Sequence, residues 1–268
     1  VDGPAPAAGD SLAPLLTLRA AGDRTPLFCV PPGLGVGWAY ASLLPHLHPD
    51  RPVHALQTPA LSGAGAAPPT SVRDVARDCL DRVRAVQAHG PYLLLGRSFG
   101  GPVAHEMAVL LRAAGEEVAL LAVVDAMPKP PETARTPLPP DVVAAEAARI
   151  LREEGAALDG IGGPRRAALG EAIARHVELG RAWVPSRYDG TVTLFAATRD
   201  PEAVPTEEKA AAWRRAAPRV DVHELACAHA EVLDAGPAAR IARTVEAAIE
   251  TTFGTALPQG PRTTLQGE

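Results

Sequence analysis

No uninterrupted apolar run in this sequence approaches the roughly 18 residues that a bilayer crossing needs, so no membrane span is expected. Cysteine is scarce as well: Cys29, Cys79 and Cys227 are the only three. They lie far apart, lack metal-ligand spacing and cannot all pair. That leaves no basis for a metal cluster or a disulfide framework and fits a reducing, cytoplasmic compartment. Basic blocks are missing too. Lys and Arg total 26 against 31 Asp and Glu, for a net charge of −5, so nucleic acid is not an expected partner. There is no internal repeat and no signal-peptide pattern. The first residues, Val1-Asp2-Gly3-Pro4-Ala5-Pro6, are polar and proline-rich, and no methionine leads them. That start reads as linker over residues 1–12, in a piece cut from a longer polypeptide.

What remains is globular in composition, 47% hydrophobic and 21% charged, and 268 residues can bury the core of one α/β domain. The chain is organised around Leu95-Gly96-Arg97-Ser98-Phe99-Gly100-Gly101. A short apolar run, Pro91-Tyr92-Leu93-Leu94-Leu95, enters it and reads as a buried strand. A helix-like stretch with proline in its first turn, residues 102–111, leaves it. Ser98 therefore occupies the strand–turn–helix junction of a G-x-S-x-G nucleophile elbow. Gly96 and Gly100 are small because strand and helix pass close together there. The N–H of Phe99, directly after the serine, points where a carbonyl oxygen would develop negative charge.

Around this element the pattern alternates strand and helix. Residues 26–31 hold a short strand followed by a glycine-rich turn, Pro31-Pro32-Gly33-Leu34-Gly35-Val36-Gly37, and a helical stretch over 38–47. No lysine follows with P-loop spacing. The expected role of this turn is a second oxyanion donor, an N–H of Gly33 or Leu34. Strands are expected over 51–57, 118–124, 191–197 and 219–225. Helices are expected from Ser71, over 207–217 and over 237–252. Six prolines among residues 128–140 predict an irregular connector. Two helices, 140–155 and 164–183, follow with Gly/Pro hinges, an arrangement that reads as a mobile lid over about 128–186. His176, in the second of these, is expected on a solvated face, with lining of the cleft as the alternative. The main domain is expected over 13–254, and residues 255–268 as a flexible tail.

A serine nucleophile needs a base, and the base an orienting acid. Of the eight histidines, His46, His48, His54, His89 and His105 precede or flank the elbow. In hydrolase order the histidine comes last. His229, on the loop past the last strand, is favoured over His223, which falls inside a strand pattern. Asp125 and Asp200 both end strands at the carboxyl edge of the sheet, and spacing alone does not choose between them.

Four motifs, in order over about residues 25–250, carry a resemblance. They are Phe28-Cys29-Val30-Pro31-Pro32-Gly33, Gly96-Arg97-Ser98-Phe99-Gly100-Gly101, Val124-Asp125 followed by Pro128, and Cys227-Ala228-His229-Ala230-Glu231-Val232-Leu233. Together they resemble the thioesterase domains that end nonribosomal peptide synthetases, α/β-hydrolases with a mostly parallel sheet and a helical lid. Polyketide-synthase thioesterases are close behind. The resemblance implies Asp125 as the acid, with Asp200 as the alternative. It implies acyl transfer through Ser98 from a thioester on the phosphopantetheine arm of an upstream peptidyl carrier domain. The acyl-serine would end in hydrolysis or macrocyclisation, with no bound cofactor and no metal. Two positions depart from the family pattern. Arg97 stands where an aromatic or histidine is usual, and is a candidate either for a substrate carboxylate or for a salt bridge within the protein. Cys227 stands at a glycine position. A stand-alone editing thioesterase, a small-molecule serine esterase and a non-catalytic binding module of the same fold are the competing readings.

Overall fold

Seven strands form one sheet in the order β1-β3-β2-β4-β5-β6-β7. They are β1 Leu15–Arg19, β2 Leu27–Val30, β3 Val53–Leu56, β4 Tyr92–Arg97, β5 Val118–Val124, β6 Thr191–Ala197 and β7 Arg219–Leu225. The structure is a computed structural model describing residues 10–62, 68–134, 136–154, 158, 161–200 and 204–256. All neighbouring pairs are parallel except β1 with β3. Every residue of β2, β3 and β4 is buried. The apolar runs Leu27–Val30 and Tyr92–Leu95 are those of strands covered on both faces, and β3 buries His54 among its apolar residues.

The helices are α1 Val72–Val86, α2 Gly100–Ala113, α3 Pro131–Ala134, α4 Pro140–Glu154, α5 Gly163–Ala182, α6 Thr206–Arg214 and α7 Ala235–Ala256. Helices α1, α2 and α6 cover one face of the sheet, through Val83, Val103, Met107 and Trp213 against Phe28, Leu94 and Leu194. On the other face α7 and a 3-10 helix, Trp38–His46, pack Tyr40, Leu43, Ile241 and Val245 against Leu27, Leu95 and Val124. A third, smaller cluster joins α4 and α5 to the loop after β2, through Ala147, Leu169 and Ile173 against Leu34 and Val36. Helices α3 to α5 are thus an insertion between β5 and β6, seated on the carboxyl edge of the sheet.

Most expected elements are present, and the exceptions have local causes. Strand β1, outside the expected elements, is an edge strand of five residues, Leu-Leu-Thr-Leu-Arg, with only Leu16 fully buried; so short a run does not distinguish strand from loop by pattern. The stretch expected to be irregular contains one helical turn, α3, with Pro131 at its first position, where proline is tolerated. The helical stretch after the glycine-rich turn is 3-10, with Pro45 inside it. Helix α7 runs on to Ala256, past the expected end. Ser71 caps α1, its Oγ accepting the Asp74 N–H at 3.1 Å. The linker expected over 1–12 falls on described residues only at 10–12, a 3-10 turn. The rest of that linker, the tail from 257 and the hinge residues 159 and 160 lie outside the described residues. No helix among the described residues is long and apolar enough to cross a membrane.

The insertion is anchored at its exit. Trp183, the residue after α5, donates its indole N–H to Oε1 of buried Glu106 at 3.1 Å, and Arg73 approaches Oε2 of the same carboxylate at 3.5 Å.

Candidate active site

Strand β4 delivers Arg97 to the carboxyl edge, and the chain then reverses at Ser98, whose φ is 53°. A non-glycine residue in the left-handed region is strained, and here the surroundings enforce it. The Ser98 N–H donates to Val124 O at 2.9 Å, while Ser98 O accepts from Gly101 N–H at 2.9 Å as α2 begins. The two elbow glycines are required by close approach. A Cβ on Gly96 would collide with the Gly100 carbonyl, and one on Gly100 would lie 2.5 Å from Val30 O. Tyr40 ties this turn to the glycine-rich loop: its hydroxyl donates to Val30 O at 2.6 Å and accepts the Arg97 N–H at 3.0 Å. Phe99, Gly33 and Leu34 are all buried beside it. The loop turns through Gly35, at φ 82°, whose N–H donates to Pro32 O at 2.9 Å.

Asp125 is the other non-glycine residue with positive φ among those described, at 48°. Its N–H donates to Phe195 O at 2.7 Å, which turns the side chain back over the sheet edge. Both carboxylate oxygens are then taken up. Oδ2 lies 2.6 Å from His229 Nδ1, and Oδ1 accepts from Ala197 N–H at 3.0 Å and from Lys209 Nζ at 2.6 Å. The side chain is 6% exposed. Burial alone would raise its pKa, but the hydrogen bonds and charges of His229 and Lys209 outweigh it and hold the carboxyl below the usual range. An ionised carboxylate only accepts, so Nδ1 of His229 carries the proton and Nε2 is left as the acceptor.

The loop bearing His229 is pinned from several sides. Arg199 N–H donates to Cys227 O at 3.0 Å, and Ala228 N–H to Glu231 Oε2 at 2.9 Å. Asp200, the alternative acid, accepts the backbone N–H of His229 at 2.9 Å and so supports the loop, while Asp125 meets the ring. Arg97 is buried, 3% exposed, and its guanidinium donates to His229 O at 3.2 Å. This contact is to a backbone carbonyl, and it ties the strand end before Ser98 to the loop that bears His229. Cys227 is packed in the core face shared with α7, and its thiol is pushed up by burial to about 11.

Two residues at this site differ from the main sequence expectation. Lys209 is 9% exposed and bridges Asp125 to Ala197 O at 3.0 Å. Its signal was faint: Lys209 lies one turn before Trp213 on the buried face of α6, and Trp213 itself donates to Ala126 O at 2.8 Å. The second is His176, expected to be solvated. It is 7% exposed, lies 2.9 Å from Gly33 O through Nδ1, and stacks on Phe99 with ring centroids 4.6 Å apart. The expectation failed because α5 is weakly amphipathic in sequence, its buried face being made partly by a histidine. His223, the weaker histidine candidate, stacks on Phe195 within the sheet.

A cleft of about 960 Å³ opens between α5, α1 and the segment after β3. Thr58, Val75 and Arg175 line it, and Pro31, Phe99 and His176 lie along it. Ser98 is not part of its lining; Phe99, the next residue, is.

A mostly parallel sheet with one antiparallel edge, a serine lifted at the β4–α2 turn, and an aspartate–histidine pair from the loops after β5 and β7 define the α/β-hydrolase class. A family model described as Thioesterase domain matches residues 25–249, and the chain belongs to that family. It is a thioesterase of the serine-hydrolase type. Malpibaldin synthetase from Mortierella alpina is 33% identical over 246 residues, covering 90% of this chain and 4% of its own length. The dimodular nonribosomal peptide synthase of Bacillus subtilis (strain 168) is 30% identical over 261 residues, 88% of this chain and 11% of its own. The chain thus spans a small fraction of these relatives. Among solved structures, the NocB thioesterase domain in covalent complex with a fluorophosphonate nocardicin G analog is 27% identical. Its TM-score is 0.71, over 88% of this chain and 100% of that one. The surfactin-cyclising domain SrfTE shares the fold, at 18% identity, with a TM-score of 0.63 over 95% of this chain and 100% of that one.

Proposed function

We propose that this domain releases a peptidyl chain from the phosphopantetheine thioester of an upstream carrier domain, through an acyl-enzyme on Ser98. The observation that carries the reading is the 2.6 Å contact between Asp125 Oδ2 and His229 Nδ1, made at the sheet edge where the elbow lifts Ser98. With Nδ1 committed to Asp125, Nε2 of His229 takes the Ser98 proton as Oγ attacks the thioester carbonyl. The developing oxyanion is met by the N–H of Phe99 and an N–H of Gly33 or Leu34. As the carbonyl re-forms, the C–S bond breaks and the pantetheine sulfur leaves with a proton from His229. Water, or an amine or hydroxyl of the same peptide, then attacks the acyl-serine with His229 again as base. The insertion α3–α5 serves as the lid over this site, and the cleft beside Phe99 takes part of the acyl chain.

Its relatives support the peptidyl substrate: they are peptide synthetases, of which this chain matches a small part. Incubation with a set of peptidyl-pantetheine thioesters and of p-nitrophenyl esters tests it, with mass spectrometry of products and protein. Release of peptide acid or macrocycle, with a transient adduct on Ser98, is the expected result. A strong preference for the simple esters would favour a small-molecule esterase instead.

A further inference from the structure

Helix α5 touches residues from both stretches assigned to the oxyanion hole, the Gly33 carbonyl and the Phe99 ring, and it does so along one face. Leu169, Ile173, His176 and Gly180 follow at steps of four, three and four residues, the spacing of a single helical stripe. Leu169 and Ile173 pack with Leu34. His176 reaches Gly33 O at 2.9 Å and stacks on Phe99 at 4.6 Å and 18°. At Gly180 the helix comes so close that a Cβ would lie 3.3 Å from the Phe99 ring.

The hydrogen bond has a direction. Gly33 O can only accept, so Nδ1 of His176 is the protonated nitrogen. Burial pushes the imidazole pKa down, which keeps the ring neutral. The acceptor is also the residue most in need of a clamp, because glycine has the widest range of backbone angles. A peptide group is planar, so fixing the Gly33 carbonyl fixes the Leu34 N–H in the same plane. Of the two N–H groups considered as oxyanion donors on this loop, that of Leu34 is therefore set by one side chain from the insertion.

Resting on the acyl-serine reading above, we propose that His176 is a positioning residue that makes the oxyanion hole complete only when α5 is docked. Its Nδ1–H fixes the glycine loop from one side and its ring holds Phe99 from the other. The lid then does more than enclose substrate: it switches on the electrostatic stabilisation of the tetrahedral intermediate. An acyl chain in the adjoining cleft lies along His176 and Phe99, which gives bound substrate a direct route to the hole.

The test uses three substitutions in the whole domain, read with a peptidyl-pantetheine thioester. His176→Asn places an amide N–H near the position of Nδ1, His176→Gln places it farther out, and His176→Phe keeps the stacking ring without the donor. Loss of a single oxyanion-hole donor typically costs 10²–10³ in kcat, and misplacement costs less. So His176→Phe and His176→Gln should lower kcat by about 10- to 100-fold with KM changed less than about threefold. His176→Asn should recover most of the loss. A peptide boronate, whose Ser98 adduct places an oxygen in the hole, should bind more weakly to the Phe and Gln variants by a similar factor. Wild-type kcat in His176→Gln, or an Asn variant as slow as the Gln variant, overturns the proposal. If the Phe variant does not fold, the Asn/Gln pair still decides. Ser98→Ala is the control: turnover surviving in it sinks the acyl-serine reading itself. A dead Ser98→Ala beside an unimpaired His176→Gln sinks only the role of His176.

Discussion

Lys209 Nζ lies 2.6 Å from Oδ1 of Asp125, so the carboxylate that meets His229 is itself held by a buried ammonium. Replacing Lys209 by Met leaves Oδ1 of Asp125 with the Ala197 N–H alone, so the carboxylate is held less firmly behind the ring. Stability should fall by about 3–5 kcal/mol, the usual cost of removing one partner from a buried ion pair. The looser carboxylate should lower kcat by about tenfold. Steady-state kinetics and urea unfolding check the two parts. Unchanged kcat in a destabilised variant would reduce Lys209 to a purely structural role.

The two aspartates considered from sequence should separate cleanly by mutation. Asp125→Asn replaces the ring's acceptor and disturbs the tautomer, which in comparable triads costs about 10⁴ in kcat. Asp200→Asn removes one charge-assisted bond to the His229 backbone, with the loop still held by Arg97 and Arg199. Its loss should be about tenfold or less. Steady-state kinetics on the two variants check the order.

Acid should unfold the domain from identifiable places. Asp125, Glu106 and Glu246 are each raised by burial, yet pulled further down by hydrogen bonds and charges: His229 and Lys209 for the first, His105 and Trp183 for the second, Arg51 and the His48 N–H for the third. A depressed folded pKa means the unfolded chain binds more protons, so stability is present above the unfolded value and is lost as pH falls through the folded one. With unfolded carboxyl values near 3.9–4.3, the urea midpoint should be flat above about pH 5 and drop below about pH 4. Glu246→Gln should flatten part of that drop.

Two glycine-to-alanine changes should have opposite outcomes. At Gly96 the new methyl runs into the Gly100 carbonyl, so the elbow must distort and activity should be lost with stability. At Gly170, inside α5, nothing lies within 4 Å of the added Cβ, and the helix should gain up to about 1 kcal/mol. Thermal unfolding of both variants checks this.

The parts of this molecule legible in its sequence are those written as local pattern. The β4–Ser98–α2 elbow announces itself because strand run, small residues and helix are contiguous. The continuous run Val118–Val124 likewise marks a buried parallel strand ending at Asp125. What stayed hidden depends on contacts between distant segments. Nothing near Lys209 says that its amine meets Asp125, 84 residues away. His176 looks like a surface residue among Arg175 and Glu178 until the fold brings Gly33 O to it across 143 residues. Strand β1 was missed because its pairing with β3, not its own apolar content, makes it a strand.

The most direct test of the central claim is active-site labelling with a fluorophosphonate, followed by intact-mass and peptide-mass measurement alongside thioester release. The account predicts one adduct per chain, on the peptide containing Ser98, with release lost in step with labelling and both abolished in Ser98→Ala. Continued release of a peptidyl thioester by Ser98→Ala, or full activity in protein labelled to completion, would contradict it.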